Sequence, residues 1–354
     1  MKTEIIKLDP QFPDLRLIAR CAKVIRSGGL VGFPTETVYG IAADYSNPAA
    51  MERLRTVKKR DKDKPFSVLV AQAGLIANYT PSSDPKIYKL IDAFWPGPLT
   101  LVVPALEDGK TIGVRMPDHP IALKLVQESQ CTIASPSANY EGNDPPKTCT
   151  EALKDLDGQI DMIIDGGTSR IGIGSSVVDV TKEKPAILRE GVITQKDIDR
   201  VTGKKTVLFV CTGNSCRSVM AEYLLKSKMQ GREDVEVISA GTGVYLRSTA
   251  SSETIAVLKE EGIDAAAHIA RPVNTVLLKK SDLIIVMTRA HRDQVLERVP
   301  AVEKRVYMLK EFSSPASNGQ SNIDVPDPIG QPRGAYQVCL RDIKEAVNKI
   351  AGLV

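Results

Sequence analysis

Cysteine is sparse, histidine sparser, and neither sign of charge dominates. The 354 residues hold six Cys, three His, 47 Lys+Arg and 43 Asp+Glu, for a formal net charge of +4. Six cysteines are too few for a disulfide-built scaffold, so the expectation is a reduced, cytoplasmic chain in which one or two thiols carry chemistry. No apolar run approaches the ~20 residues needed to span a bilayer. The opening residues, Met-Lys-Thr-Glu-Ile-Ile-Lys-Leu-Asp-Pro, place charges where a secretory signal needs an apolar core, so no membrane partner is expected. The charge is also locally balanced: residues 1–200 carry 26 basic and 26 acidic groups, residues 201–354 carry 21 and 17. That excludes a broad basic surface for nucleic acid, and any anion must be met by individually placed groups. Repeats and low-complexity tracts are missing as well. What is present, 42% apolar and 25% charged residues, is ordinary globular composition, and the length suits two domains.

The first half reads as mixed α/β. Short apolar or β-branched runs at Gly29–Phe33, Phe66–Val70, Leu99–Val103, Cys131–Ala134, Met162–Ile164 and Ser176–Val180 suit strands, and Pro48–Lys58 and Pro120–Gln127 suit helices. Pro96-Gly97-Pro98 and Gly142–Pro146 read as loops at a pocket rim. A polar stretch ends in Gly203-Lys204-Lys205, which sets a boundary between domains 1–203 and 204–354. The second half alternates cleanly: strands at 206–210, 235–239, 282–287 and 304–308, helices from 217, at 251–261, at 289–298 and from about 335 to 351. That order predicts a doubly wound parallel sheet covered on both faces. Pro315–Asn322 reads as a surface loop.

The sharpest local signal is Cys211-Thr212-Gly213-Asn214-Ser215-Cys216-Arg217-Ser218. It lies between a buried strand and a helix, where a Gly-containing loop can turn successive N–H groups onto an anion at the helix N-terminus. Those groups and the helix dipole would draw Cys211 toward the thiolate. Arg217 can grip two phosphate oxygens with its planar fork, and Ser218 can donate to the sulfur. Asp327, in Val325-Pro326-Asp327-Pro328, is the candidate proton donor to a leaving group. The bland reading is a buried cysteine pair in a turn, and Asp-Pro alone signals only a turn. Cys216 is either loop filler or a reversible disulfide partner of Cys211.

With Ser239-Ala240-Gly241, these residues make 206–351 resemble the low-molecular-weight protein tyrosine phosphatases. The resemblance implies Cys211 as nucleophile, Arg217 as transition-state clamp, Ser218 as thiolate stabiliser and Asp327 as acid then base. The phosphate loop would be Thr212, Gly213, Asn214, Ser215 and Cys216, and no cofactor is expected. Three positions depart from the family: Val219 stands for a usual Pro, Ser215 for a bulkier aliphatic, and Ile329 for an aromatic. Phosphoarginine therefore stays open beside phosphotyrosine as the substrate. Arsenate reduction through a cysteine relay is not expected, because only Cys339 follows.

In the first half no short motif decides. Seven basic residues crowd Arg53–Lys64 (Arg53, Arg55, Lys58, Lys59, Arg60, Lys62, Lys64), which is a solvated helix end or an anion site. Their company is Pro34-Thr35-Glu36-Thr37-Val38-Tyr39-Gly40, Gly113-Val114-Arg115-Met116-Pro117 and Ser135-Pro136-Ser137-Ala138-Asn139. Small hydroxyls and arginines of this kind suit a nucleotide or an amino-acid carboxylate.

With Gly174-Ser175-Ser176-Val-Val-Asp179 and Leu188-Arg189-Glu190-Gly191, these pieces resemble the threonylcarbamoyl-adenylate synthases (Sua5, YrdC and YciO) over about residues 10–200. The resemblance implies a YrdC-like, twisted mixed α/β domain that makes L-threonylcarbamoyl-AMP and pyrophosphate from ATP, L-threonine and bicarbonate. A transfer complex would then pass the group to adenosine 37 of tRNA. Lys58, Arg60, Lys64, Thr111, Ser137, Asn139 and Arg189 would bind ATP with Mg²⁺ on its phosphates. Thr35 or Thr37, Arg115, Ser135 and Ser175 would bind threonine. Cys21, Cys131 and Cys149 would be packing residues, and Leu69 stands where some members carry a His. The whole chain thus reads as a nucleotidyltransferase joined to a phosphoprotein hydrolase. The rival readings are a non-catalytic RNA- or nucleotide-binding module in the first half and an arginine phosphatase in the second. Zero net charge speaks against RNA, whose affinity rests on phosphate contacts.

Overall fold

A computed structural model describes residues 2–61, 64–246, 248–313 and 323–354. Lys62 and the Pro315–Asn322 loop reading lie outside the described residues. The chain forms two compact units: one runs to Ser82 and resumes over Lys89–Val201, and the other comprises Ser83–Tyr88 and Thr202–Val354.

Among the described residues the first unit has ten strands: β1 (Glu4–Lys7), β2 (Val31–Phe33), β3 (Gly40–Asp44), β4 (Val68–Leu69), β5 (Leu99–Pro104), β6 (Thr111–Arg115), β7 (Ile133–Ala134), β8 (Met162–Asp165), β9 (Ser176–Asp179) and β10 (Ala186–Arg189). They form one mixed sheet in the order β1-β8-β2-β3-β7-β4-β6-β5-β9-β10. Alternation divides its core. Ala42, Met162 and Ile164 pack with Ile18 and Ile25 of helix Leu15–Arg26 and Leu125 of helix Pro120–Ser129. Their neighbours Ile41, Ala43 and Ile163 pack oppositely, with Leu54 of helix Pro48–Lys58 and Leu156 of helix Cys149–Leu156. The Pro48–Lys58 helix starts where predicted because Asn47 accepts from the Ala49 and Ala50 amides and Pro48 sits in the first turn. It stops at Lys59, which is left-handed at φ 52°.

Four strands escaped the sequence reading: β1, β3, β6 and β10. β3 (Gly-Ile-Ala-Ala-Asp) has little β propensity of its own and is held by pairing with β2 and β7.

In the second unit, β11 (Lys205–Cys211), β12 (Val235–Gly241), β13 (Leu283–Val286) and β14 (Val306–Met308) pair wholly in parallel, in the order β12-β11-β13-β14. From Val207 to Cys211, β11 is apolar because both faces are covered. Val207, Phe209 and Cys211 pack with Leu224, Tyr336 and Ile343, while Leu208 and Val210 pack with Leu278 and Val295. The chain turns from β11 to β12 on one side and to β13 on the other, so the C-terminal end of β11 is the switch point of the sheet, where such folds bind ligands. Cys211 is its last residue. Two details differ from expectation. A short helix, Thr275–Lys280, precedes β13, and residues 300–305 form a 3₁₀ turn before β14.

Candidate functional sites

The phosphate loop is built from the Cys211 strand end and the N-terminus of helix Arg217–Lys228, which Cys216 precedes without any side-chain cap. Its first-turn N–H groups are therefore left for an anion. Asn214 is left-handed, at φ 51°. Its amide is fully committed: Oδ1 accepts from the Arg271 N–H (2.9 Å), and Nδ2 donates to Ser239 Oγ (2.7 Å) and Ser218 Oγ (3.0 Å). Ser239 donates its own hydroxyl hydrogen bond to the buried Glu222 carboxylate, and His268 Nε2 lies 3.0 Å from the Asn214 carbonyl. Ser218 Oγ, already accepting from Asn214, lies 2.9 Å from Cys211 Sγ, so its proton is free to point at the sulfur. The Ser239-Ala240-Gly241 run has a steric reason too. A side chain at Gly241 would strike the Thr212 carbonyl and the Asn214 nitrogen.

Arg217 is 4% exposed and ion-pairs with Asp327. Its Nη1 donates to the Val325 carbonyl (3.2 Å), while Nε is buried without a partner. Such an orphan donor costs free energy unless a ligand meets it. Cys216 Sγ sits among hydroxyls, 3.5 Å from Ser251 Oγ and 3.7 Å from Tyr336 Oη. Ser215 is half-buried, and Tyr245, Leu246 and Ile329 are exposed.

His291 escaped the sequence reading. It is buried, with Nε2 2.9 Å from Thr212 Oγ1 and Nδ1 2.8 Å from Thr288 Oγ1. Burial, and then the Arg217 charge, push it down to about 4, against the pull of Asp327 and Asp324. It is a neutral brace at the start of the loop, and a histidine 79 residues from Thr212 gave no spacing signal.

In the first unit the predicted residues fall into three clusters. Arg115, at the end of β6, is buried and donates through Nη2 to Glu36 Oε1 (2.7 Å) and Thr37 Oγ1 (2.9 Å), and through Nε to the Gly97 carbonyl (3.1 Å). Thr35 Oγ1 is 2.8 Å from Thr37 Oγ1, and Leu69 pairs with Arg115 in register. Arg189, at the end of β10, donates to the Ser175 carbonyl (2.8 Å) and hydroxyl (3.1 Å), and that hydroxyl is 2.8 Å from Thr100 Oγ1. Lys58 is 2% exposed and reaches the Ser137 carbonyl (2.6 Å), the Asn139 carbonyl and Asn139 Oδ1 (3.3 Å). Burial, then Arg60, push Lys58 down to about 8, while Glu141 and Asp155 hold it up.

Arg60 donates to the Pro65 carbonyl and lies over the Phe66 ring, and Lys64 pairs with Glu141 at 2.6 Å. Ser135 N bonds the Ser67 carbonyl, and its hydroxyl would meet a side chain at Gly40. Electrostatics tie the clusters together. The Arg189 guanidinium is lowered first by burial and then by the like charges of Arg115 and Arg60, so these three cations act on one another, with Glu36 ion-paired to Arg115. Thr111 is not brought to this group: exposed at the start of β6, it stands four residues from Arg115, roughly 13 Å along a strand. Among the described residues no cluster of three or more His, Cys, Asp or Glu side chains could hold a metal ion.

Burial pushes the Cys21, Cys131 and Cys149 thiols up to about 11, consistent with packing roles. All six cysteines are free. No described helix is long and apolar enough to cross a membrane.

Fold and site together define the class of each unit: a mixed-sheet domain with arginines set against buried hydroxyls, and a parallel-sheet domain with a cysteine loop at the N-terminus of a helix. Residues 23–191 match the family model for Sua5, YciO and YrdC proteins, described as telomere recombination. Residues 206–353 match that for low molecular weight phosphotyrosine protein phosphatases. The threonylcarbamoyl-AMP synthase of Pyrococcus abyssi is 36% identical over 252 residues, 68% of this chain and 73% of that protein. That of Bacillus subtilis is 38% identical over 209 residues, 56% of this chain and 59% of that protein. The chain thus spans less than two thirds of the Bacillus relative. The crystal structure of P. abyssi Sua5 complexed with L-threonine is similar at a TM-score of 0.54 and 26% identity, covering 86% of this chain and 99% of that one. The chain belongs to the Sua5/YrdC/YciO family through its first half and carries a low-molecular-weight phosphatase domain in its second.

Proposed function

We propose that the protein is a two-activity enzyme. Its first unit would condense L-threonine, bicarbonate and ATP to L-threonylcarbamoyl-AMP and pyrophosphate, for later transfer to adenosine 37 of tRNA. Its second unit would hydrolyse phosphoproteins through a phosphocysteine. The observation that carries the first reading is the pair of arginines held against buried hydroxyls, Arg115 at Thr37 Oγ1 (2.9 Å) and Arg189 at Ser175 Oγ (3.1 Å). The threonine complex of the Pyrococcus relative supports the amino acid as one ligand. Arg115 suits the α-carboxylate beside Thr37 and Thr35, Ser135 and Ser175 would be further threonine contacts, and Arg60, Lys64 and Arg189 suit phosphates. Lys58 holds the Ser137–Asn139 loop in place. Magnesium would be carried on the triphosphate, which usually keeps it with few protein ligands. Rate enhancement here would come from positioning and charge neutralisation.

In the second unit, Cys211 Sγ attacks phosphorus while Arg217 neutralises the equatorial oxygens. The incoming dianion draws Arg217 from Asp327, and the freed carboxylate, once it has taken up a proton from solvent, gives that proton to the leaving atom as its bond to phosphorus breaks. Water activated by Asp327 then attacks phosphorus, and the thiolate leaves toward the Ser218 proton. The orphan Nε of Arg217 carries this reading. Phosphoarginine is the second candidate substrate, favoured by the small Ser215 within the loop and by Ile329, an aliphatic residue, after Asp327-Pro328.

Hydrolysis of p-nitrophenyl phosphate should vanish in Cys211→Ser, and retained turnover would remove Cys211 from the chemistry. Side-by-side release of phosphate from phosphotyrosine and phosphoarginine peptides identifies the substrate class.

A further inference from the structure

Glu36 lies between two threonines assigned to the pocket, yet neither its charge nor its place in the site followed from motif spacing. It is 1% exposed, Oε1 accepts from Arg115 Nη2 at 2.7 Å, and Oε2 is buried without a partner. The loop that carries it cannot swing freely. Thr35 Oγ1 donates to the Val38 carbonyl (2.6 Å), and the Ile171 and Gly172 amides donate to the Glu36 and Thr37 carbonyls (2.8 Å each). A carboxylate held rigidly in the interior with one oxygen unmet is costly unless a donor arrives. A second orphan lies nearby: His119 Nδ1 is also buried and unpartnered, and Glu36 is the leading charge acting on that ring. Arg115 spends Nε on Gly97 and Nη2 on Glu36 and Thr37, which leaves Nη1 for an incoming anion.

A guanidinium with one free nitrogen beside a carboxylate with one free oxygen is complementary to a zwitterion, whose own two charges sit on adjacent groups of one carbon. We propose that Glu36 Oε2 receives the α-ammonium of the amino acid whose carboxylate Arg115 binds, so that the pocket reads both charges and rejects acids that lack the amine. The proposal rests on the synthase reading and adds to it the residue that selects an amino acid over other hydroxy acids. Arg115 alone would not discriminate, since every carboxylate satisfies it.

The test is calorimetric titration of the full chain with L-threonine and with 2,3-dihydroxybutanoate, its analogue in which a hydroxyl replaces the ammonium. The wild-type chain is expected to prefer threonine by at least about tenfold, the worth of one charge-assisted hydrogen bond. Glu36→Gln keeps an acceptor for Arg115 but loses the charge, and should narrow the preference to within about twofold by weakening threonine alone. Equal weakening of both ligands would mean that Glu36 serves only to place Arg115, and overturns the proposal. An unchanged preference in Glu36→Gln overturns it as well. On the wild-type chain, with no variant needed, equal affinity for the two ligands does the same. Absence of any threonine binding by wild type would instead overturn the synthase reading and this proposal with it.

Discussion

Replacing Ser218 by alanine removes one oxygen atom from the interior, and its effect can be worked out from the network around it. Asn214 cannot flip, because its Oδ1 accepts from the Arg271 amide while its Nδ2 serves Ser239 and Ser218. Ser218 Oγ is thereby fixed as an acceptor toward Asn214, and its single proton is left for the Cys211 thiolate, whose sulfur lies 2.9 Å away. A hydrogen bond to a charged group is worth about 1.5–3 kcal/mol. Loss of it should slow the step in which thiolate is the leaving group by about 10- to 100-fold, at 1.4 kcal/mol per decade. The bond acts on the sulfur anion and not on the phosphoryl oxygens, so breakdown of the phosphocysteine should suffer most. Stopped-flow hydrolysis of p-nitrophenyl phosphate by Ser218→Ala should therefore show a burst of nitrophenolate followed by a slow steady state. A variant within twofold of wild-type turnover, with no burst, would refute the direction assigned to this hydrogen bond.

Asp327→Asn keeps a polar partner for Arg217 but cannot donate a carboxyl proton, so phenyl phosphate hydrolysis should fall by about 10²–10⁴. p-Nitrophenyl phosphate, with its better leaving group, should fall less, and equal losses would remove Asp327 as the acid. Lys58→Met leaves the Ser137 and Asn139 carbonyls without their buried donor and should cost about 3 kcal/mol in urea unfolding of the first unit. A loss under about 0.5 kcal/mol would show these bonds to be replaceable by water. His291 titrates near 4 in the folded chain against 6.5 unfolded, so below 6.5 the unfolded chain binds the extra proton. Its contribution is fully present above about 6.5 and is lost as pH falls toward 4, on the order of 3 kcal/mol in all. His291→Gln should flatten the melting temperature of the second unit across that window, and unchanged pH slopes would contradict the burial argument.

The two sites were not equally legible in the sequence. Cys211–Ser218 is contiguous, and its function follows from a strand, a turn and a helix in immediate succession, so residues, order and geometry could all be read together. Even there, His291 was invisible, because the fold alone brings it to Thr212. The residues proposed for the synthase pocket, 35–37, 58, 60, 64, 115, 135–139, 175 and 189, are scattered, and short pieces that far apart declare themselves only through company. Glu36 shows the limit. Its neighbours Thr35 and Thr37 were singled out as hydroxyls, but a carboxylate gains meaning only once Arg115 is seen against it. The doubly wound sheet was read almost whole because the Val207–Cys211 stretch of β11 is an unbroken buried apolar run. In the mixed sheet, strands such as Gly40–Asp44, short and built of small residues, are made by their partners and leave no periodic signal of their own.

The central claim is that the cation-lined pocket of the first unit performs adenylate chemistry in a chain that also carries a phosphatase. The most direct measurement is mass spectrometry of the full chain incubated with ATP, L-threonine and bicarbonate, beside Arg115→Ala and Cys211→Ser. The account predicts threonylcarbamoyl-AMP and pyrophosphate from the wild type, undiminished product from Cys211→Ser, and at least about a hundredfold less from Arg115→Ala at subsaturating threonine. Folded wild-type protein that yields no threonylcarbamoyl-AMP, or an Arg115→Ala chain that makes it at the wild-type rate, would contradict it.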